Sequence, residues 1–213
     1  MAAARVAGTA RRQAQAAVTR AQLLAVAREA FETRGYRATS VADIVQAAEV
    51  SRGTFYLYFE NKQDVFAQVL AAAGDRLYSE GRGHYDPKRP RASIAAGIRA
   101  YLGTIRAPMW RATMEAALES PELARRWLTI RDRFIERIVR HLKRSGVRRD
   151  LDPRVAAEGL AAMVEFFAAT NLVLRDPSAS AEELDHAADT LAVMWVGAAF
   201  GRDGPVSSRS STT

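Results

Sequence analysis

The hexapeptide Ser51-Arg52-Gly53-Thr54-Phe55-Tyr56 is where residue type and spacing first point to chemistry, and the chemistry is recognition of a polyanion. An arginine guanidinium carries a fork of donors that matches a phosphate. The glycine beside it lets a base or phosphate come close to the backbone. Phe55 and Phe59, four residues apart, share one helical face and anchor it inward, which leaves Arg52, Gly53, Thr54, Tyr56 and Leu57 outside. Ser51 opens this helix, where free backbone N–H groups favour a phosphate, and Lys62 suits a second phosphate clamp.

Catalytic chemistry has no comparable support. His84, His141 and His186 are scattered, with no serine elbow beside them, no glycine-rich phosphate loop and no metal-ligand spacing. The absence of cysteine excludes disulfides, thiolate metal sites and thiol nucleophiles. The expectation is therefore a non-enzyme that needs no cofactor and no metal. A formal net charge of +7 favours polyanionic partners, nucleic acid before an anionic membrane surface. No uncharged apolar run reaches the roughly 20 residues that span a bilayer, and residues 1–18 lack the pattern of a secretory signal. A cytoplasmic protein is expected.

These residues must be positioned by helices, because apolar periodicity of three and four residues runs through most of the chain and no credible strand appears. Leu23, Ala27, Ala30 and Phe31 form the stripe of a first helix, which ends at Gly35 with Tyr36 folding back on Phe31. Ser40 and Asp43 form a capping box for a second helix over about 40–48. After the turn Glu49-Val50, the helix predicted over 51–59 carries the hexapeptide. Asn61 and Asp64 start a fourth helix, and the segment 81–90, with its glycines and prolines, is a loop. Five further helices are predicted over about 91–106, 109–119, 121–145, 153–176 and 181–200. The seventh has the apolar stripe Leu123, Trp127, Ile130, Phe134, Ile138 and Leu142. The fold class is all-α, about nine helices, with a three-helix helix-turn-helix domain over 19–66 and a second domain over 67–201. Residues 1–18 and 202–213 are expected as disordered tails, the first of them basic through Arg5, Arg11 and Arg12 and alternatively an arm that follows the phosphate backbone or enters a minor groove beside the main contact.

On shape alone, a short helical hairpin fits a plain bundle as well as a DNA reader. The stretch from Leu23 to Leu70, with Thr39-Ser40-Val41, Asp43-Ile44, Val50 through Tyr56, Tyr58-Phe59 and Lys62, resembles the DNA-binding domain of the tetracycline-repressor (TetR) family. The match runs without a gap. The resemblance implies that Ser40, Ser51, Tyr58 and Lys62 meet phosphates, and that Arg52, Thr54 and Tyr56 face the major groove, with Gly53 permitting close approach. Arg52 is expected to read a base, and Leu57 to offer only van der Waals contact. The family usually has glycine in the turn where this chain has Glu49. If that position is left-handed, its side chain costs about 1 kcal/mol.

The same resemblance implies a dimer on a pseudo-palindromic operator, released by a small, mostly apolar effector, with repression as the expected sign. Candidate effector contacts are Tyr101, Ile105, Met109, Trp110, Met114 and Trp127. Phe134, Met163, Phe166, Phe167 and Asn171 complete that set, although aromatic and methionine side chains at helical spacing equally describe a plain core. Glu165 and Asn171 stand out, since polar groups within an apolar helix need partners. The eighth and ninth helices, apolar on more than one face, are the expected interface with a second copy. From Arg125 to Arg149 the chain carries ten lysines and arginines against Asp132 and Glu136, either a solvated face or a site for an anionic ligand. A DNA-binding protein without a ligand and a membrane-surface protein using the basic tail stay open as rivals.

Overall fold

A computed structural model of the chain describes residues 2–80, 85, 86, 88–105, 108–175 and 178–201, the side chains of 2–8, 77 and 80 excepted. The expected tail 202–213, His84 and the expected helix end at Asp176-Pro177 lie outside the described residues. Those described form helices α1 (Ala2–Ala38), α2 (Val41–Ala47), α3 (Arg52–Tyr56), α4 (Lys62–Glu80), α5 (Pro90–Ile105), α6 (Pro108–Glu119), α7 (Pro121–Ser145), α8 (Pro153–Ala168) and α9 (Ala181–Phe200). A π-helical segment, Ala169–Arg175, continues α8.

Caps fix most helix starts. Ser40 and Asp43 satisfy each other's backbone N–H groups at the start of α2, and Ser180 and Glu183 do the same for α9. Asp152 accepts from the N–H groups of Arg154 and Val155, with Pro153 in the first turn of α8. Ser120 and Asn61 accept in the same way at the starts of α7 and α4.

Two corrections concern helix extent. Residues 2–18, expected as a disordered tail, are the first turns of α1. Their alanine, glutamine and arginine content is that of a strong helix former, a preference that compositional disorder signals do not register. The expected helix over 51–59 is short: α3 stops at Tyr56, and the Leu57 and Tyr58 N–H groups bond to carbonyls three residues back, tightening the last turn before Phe59.

The chain divides into two compact units. The first comprises residues 1–74 and 108–127, so the expected boundary at residue 66 falls inside α4, and α6 belongs with the helix-turn-helix. Its core joins Leu23, Ala27 and Phe31 of α1 to Ile44, Phe55, Val65 and Phe66, with Ala112 and Ala116 of α6 and Leu123. The Phe31, Tyr36 and Phe66 rings meet at 4.8–5.9 Å, Phe31 and Tyr36 stacked and Phe66 edge-on to both. Gly35, at φ 84°, breaks the helical geometry of α1, and a Cβ there would lie 2.6 Å from the Glu115 carboxylate. The neighbouring Arg37 donates its backbone N–H to the Glu115 carboxylate at 3.2 Å and pairs with Glu119. α1 and α6 are thereby tied at one end.

The second unit comprises residues 75–107 and 128–213. α5 packs along α9, burying Ala95, Ile98, Leu102 and Ile105 with Leu184, Ala188, Leu191 and Trp195. The buried apolar residues of α7 are Leu123, in the first unit, and Ile135, Val139 and Leu142 in the second, while Trp127 of the first and Ile130, Phe134 and Ile138 of the second, all in the expected stripe, are half-buried. The stripe is thus turned by one residue over its middle. Arg131 of α7 grips both carboxylate oxygens of Glu165 on α8 at 2.9–3.0 Å, the partner that Glu165 needs.

Candidate nucleic-acid interface

The interface is built on the turn between α2 and α3. Ala48 ends α2 in right-handed geometry, and Glu49 follows at φ 54°. Among the described residues Glu49 is the one non-glycine residue with positive φ. The left-handed turn is therefore present, with an exposed acid in a conformation that favours glycine. The backbone is held from behind: the Gln22 side-chain amide donates to the Ala48 carbonyl at 3.0 Å, and the Val50 N–H to that of Val45 at 3.1 Å.

α3 hangs from this turn by Phe55, fully buried, and by Phe59 just beyond its end, whose ring centroid lies 5.4 Å from that of Phe55. With that face committed, Arg52 and Gly53 are exposed, Tyr56 is half exposed, and Leu57 is 79% exposed. At Gly53 a Cβ would find only the Ser51 hydroxyl, at 3.6 Å, so this position offers an open approach to the backbone.

Ser51 Oγ accepts from the Thr54 N–H at 3.0 Å and shares a proton with the Thr54 hydroxyl at 2.8 Å, so one of the two hydroxyls keeps a proton for a phosphate. Ser40 is differently placed. Its single hydroxyl proton goes to Asp43 at 2.6 Å, and these bonds with Ser40, aided by Arg34, hold the Asp43 carboxyl below the ordinary carboxylate value. Lys62 gives one proton to the Tyr36 carbonyl at 3.0 Å, with its ammonium 4.2 Å from the Tyr36 ring centroid. Two protons remain for a phosphate. Tyr58 is half-buried beside Phe59.

Several residues that shape this surface have no role assigned from the sequence, Thr39 among them although it stands in the matched motif. Thr39 is buried and donates from its hydroxyl towards the carbonyls of Gly35 and Ala30, fixing the path from α1 into α2. Gln22 and Arg20 brace the turn and the end of α3 from α1, Arg20 lying 5.8 Å from the Phe59 ring centroid. An amide or guanidinium on the polar side of an amphipathic helix carries no sequence mark of such a contact.

The expected effector residues are less concentrated. Trp110, Met114 and Trp127 are half-buried in the first unit, where Met109 is buried. Ile105 is buried in the second unit, where Tyr101, Phe134, Met163, Phe167 and Asn171 are half-buried. Phe134 lies edge-on to Tyr78, with ring centroids 5.6 Å apart. Phe166 is 76% exposed. Burial raises the Tyr101 hydroxyl pKa far above the phenolic range, with Glu165 adding to it. Phe167 and Asn171 line an open depression of about 190 Å³ with Leu172, Arg175, Ala179 and Glu183. The Asn171 amide donates to the Phe167 carbonyl at 2.8 Å and accepts from Arg175, so its polar groups are met within the same helical stretch.

Residues 23–69 match the family described as bacterial regulatory proteins, tetR family. The chain is 27% identical over 158 residues to the uncharacterized HTH-type transcriptional regulator YfiR of Bacillus subtilis, covering 69% of this chain and 73% of YfiR. It is 29% identical over 123 residues to the HTH-type transcriptional regulator EthR of Mycolicibacterium smegmatis, about half the length of each, 54% and 55%. The fold is similar to that of the transcriptional regulator FadR from Bacillus subtilis in complex with stearoyl-CoA, with a TM-score of 0.65 at 19% identity, covering 83% of this chain and 97% of FadR.

Proposed function

We propose that the chain, whose residues 23–69 match the tetR family of bacterial regulatory proteins, is a dimeric, ligand-responsive repressor that reads a pseudo-palindromic operator with its helix-turn-helix. The observation that carries this reading is the division of labour on α3: Phe55 is sealed in the core while Arg52, Tyr56 and Leu57 stand in solvent. Arg52 reads a base edge, Tyr56 and Leu57 touch bases or thymine methyls, and the Ser51–Thr54 hydroxyl pair and Lys62 hold phosphates. Ser40 contributes by capping α2, and Tyr58 lies at the phosphate-facing edge.

A second copy supplies the other half-site. Phe166, Leu174 and Met194, on α8, the π-helical segment and α9, are all more than half exposed. Pro153–Arg175 is also long and apolar enough to cross a membrane by length and composition, with only a third of its most apolar stretch buried within the chain. Paired helices from two protomers would cover these side chains without a membrane.

The effector is proposed as mostly apolar, reaching Phe167 and Asn171 and the half-buried aromatic and methionine side chains around Tyr101, Phe134 and Met163. FadR, of similar fold, is known with a bound acyl-CoA, which sets an apolar chain with an anionic head as one effector class to test. A second reading, DNA binding with no effector, is favoured by the depression at Phe167 and Asn171 being open and by the polar groups of Asn171 being met within their own helical stretch.

One experiment tests both. Duplexes selected from a random-sequence pool by the full chain should converge on an inverted repeat with half-sites one helical turn apart, about 34–36 Å. Compounds, acyl-CoA among them, are then screened for release of that duplex. No enrichment sinks the operator reading, and enrichment without any releasing compound favours the effector-free one.

A further inference from the structure

Residues 9–22 of α1 make nearly four turns of helix in which no residue is buried, and the first buried side chain is Leu23. Helices in proteins owe most of their stability to an apolar face packed on something. This stretch has only alanines and Val18, itself 60% exposed. Its character is cationic instead. Arg11, Arg12 and Arg20 lie here, and the chain has no acid before Glu29. Arg11 and Arg12 are exposed and have no protein partner among the described residues.

The base of the stretch is fixed beside the DNA-reading turn. Gln22 bonds to the Ala48 carbonyl, one residue before the left-handed Glu49, and Arg20 lies against the Phe59 ring and bonds to Gln68. At 1.5 Å per residue, Arg12 lies about 15 Å along the helix from Gln22, a span comparable to the ~12 Å width of a major groove.

We propose that residues 9–20 are a second DNA-contacting element, in which Arg11 and Arg12 grip phosphates flanking the base pairs read by α3. The proposal rests on the operator-binding reading above and adds to it a contact outside the helix-turn-helix. DNA suits the stretch better than a lipid surface, because a helix lying in a membrane interface needs bulky apolar residues on one face, and here there are none.

The test compares the full chain with R11Q/R12Q and R11K/R12K on the duplex selected above, carrying about ten extra base pairs on each side. Affinity is measured from about 50 to 200 mM salt. Each phosphate contact adds about 0.9 to the slope of log affinity against log salt, so R11Q/R12Q should flatten the slope by about 2 per protomer. Its affinity at the lowest salt should fall at least about tenfold. R11K/R12K, which keeps the charge, should retain the slope. With the flanks trimmed, wild type and R11Q/R12Q should bind alike. An unchanged slope on the flanked duplex overturns the proposal. So does loss of binding by R11Q/R12Q to phosphatidylglycerol–phosphatidylcholine vesicles while its DNA slope stays intact. Failure of the operator reading shows separately, as wild type enriching no sequence, and this proposal falls with it.

Discussion

Arg52 and Lys62 are both cations near the same surface, yet their environments differ. Arg52 is exposed at the first turn of α3, whereas the Lys62 ammonium is partly engaged by the Tyr36 carbonyl and ring. Arg52→Ala should weaken binding to the selected duplex by about 1–3 kcal/mol and relax preference at one base pair. Lys62→Ala should weaken binding to specific and scrambled duplexes alike, flatten the salt slope, and also lower the melting temperature by loosening the end of α1. Gel shifts at two salt concentrations and thermal melts read these out, and identical behaviour of the two variants would refute the assigned roles. Glu49 allows a gain. Its φ of 54° disfavours any side chain, so Glu49→Gly should stabilise the protein by about 1 kcal/mol, raising the melting temperature by roughly 2–4 °C. Removing an acid from this surface should also tighten DNA binding at low salt.

At the scale of elements, α7 shows how titration couples to packing. His141 stacks on Tyr85 with centroids 4.4 Å apart, and the Tyr85 hydroxyl bonds to the buried Ser145 hydroxyl. Burial first, then the positive charges of Arg137, Arg144 and Arg140, depress the imidazole below its ordinary value of 6.5. A depressed histidine favours the folded state when neutral. Its contribution is complete above about 6.5 and is lost as the pH falls through the lower folded value. Wild type should therefore lose more melting temperature between about pH 7 and about pH 5 than His141→Gln, and equal losses would exclude this coupling. Most elements were legible because their ends are written in local chemistry: Ser40 with Asp43, Ser180 with Glu183, and Pro153 after Asp152 each announce a start. Register within α7 was less legible. Its apolar residues occupy adjacent faces, and only contacts from other helices select Ile135 and Val139 over Phe134 and Ile138. The basic run also resolves on contact, since Arg131 pairs with Glu165, Arg133 with Asp75 and Arg126 with Glu122. Such partners, tens of residues away in two of the three cases, leave no trace in spacing.

Over the whole molecule, exposed apolar surface and the operator reading make one demand, a second copy. Phe166→Asp should leave the fold intact, convert a dimer to monomer in sedimentation velocity, and abolish binding to the full inverted repeat more than to a single half-site. A variant that stays dimeric would move the interface elsewhere. The helix-turn-helix was legible as a motif, but its supporting unit was not. α6, with Glu115 against Gly35 and Arg37 and with Glu119 paired to Arg37, follows more than seventy residues later. Anyone building a chimeric regulator inherits that arrangement. A graft cut once after residue 74 would take the reading head and leave behind the helix that Gly35 is shaped to accept. The portable cassette is discontinuous, 1–74 together with 108–127, and has to be transplanted as a pair.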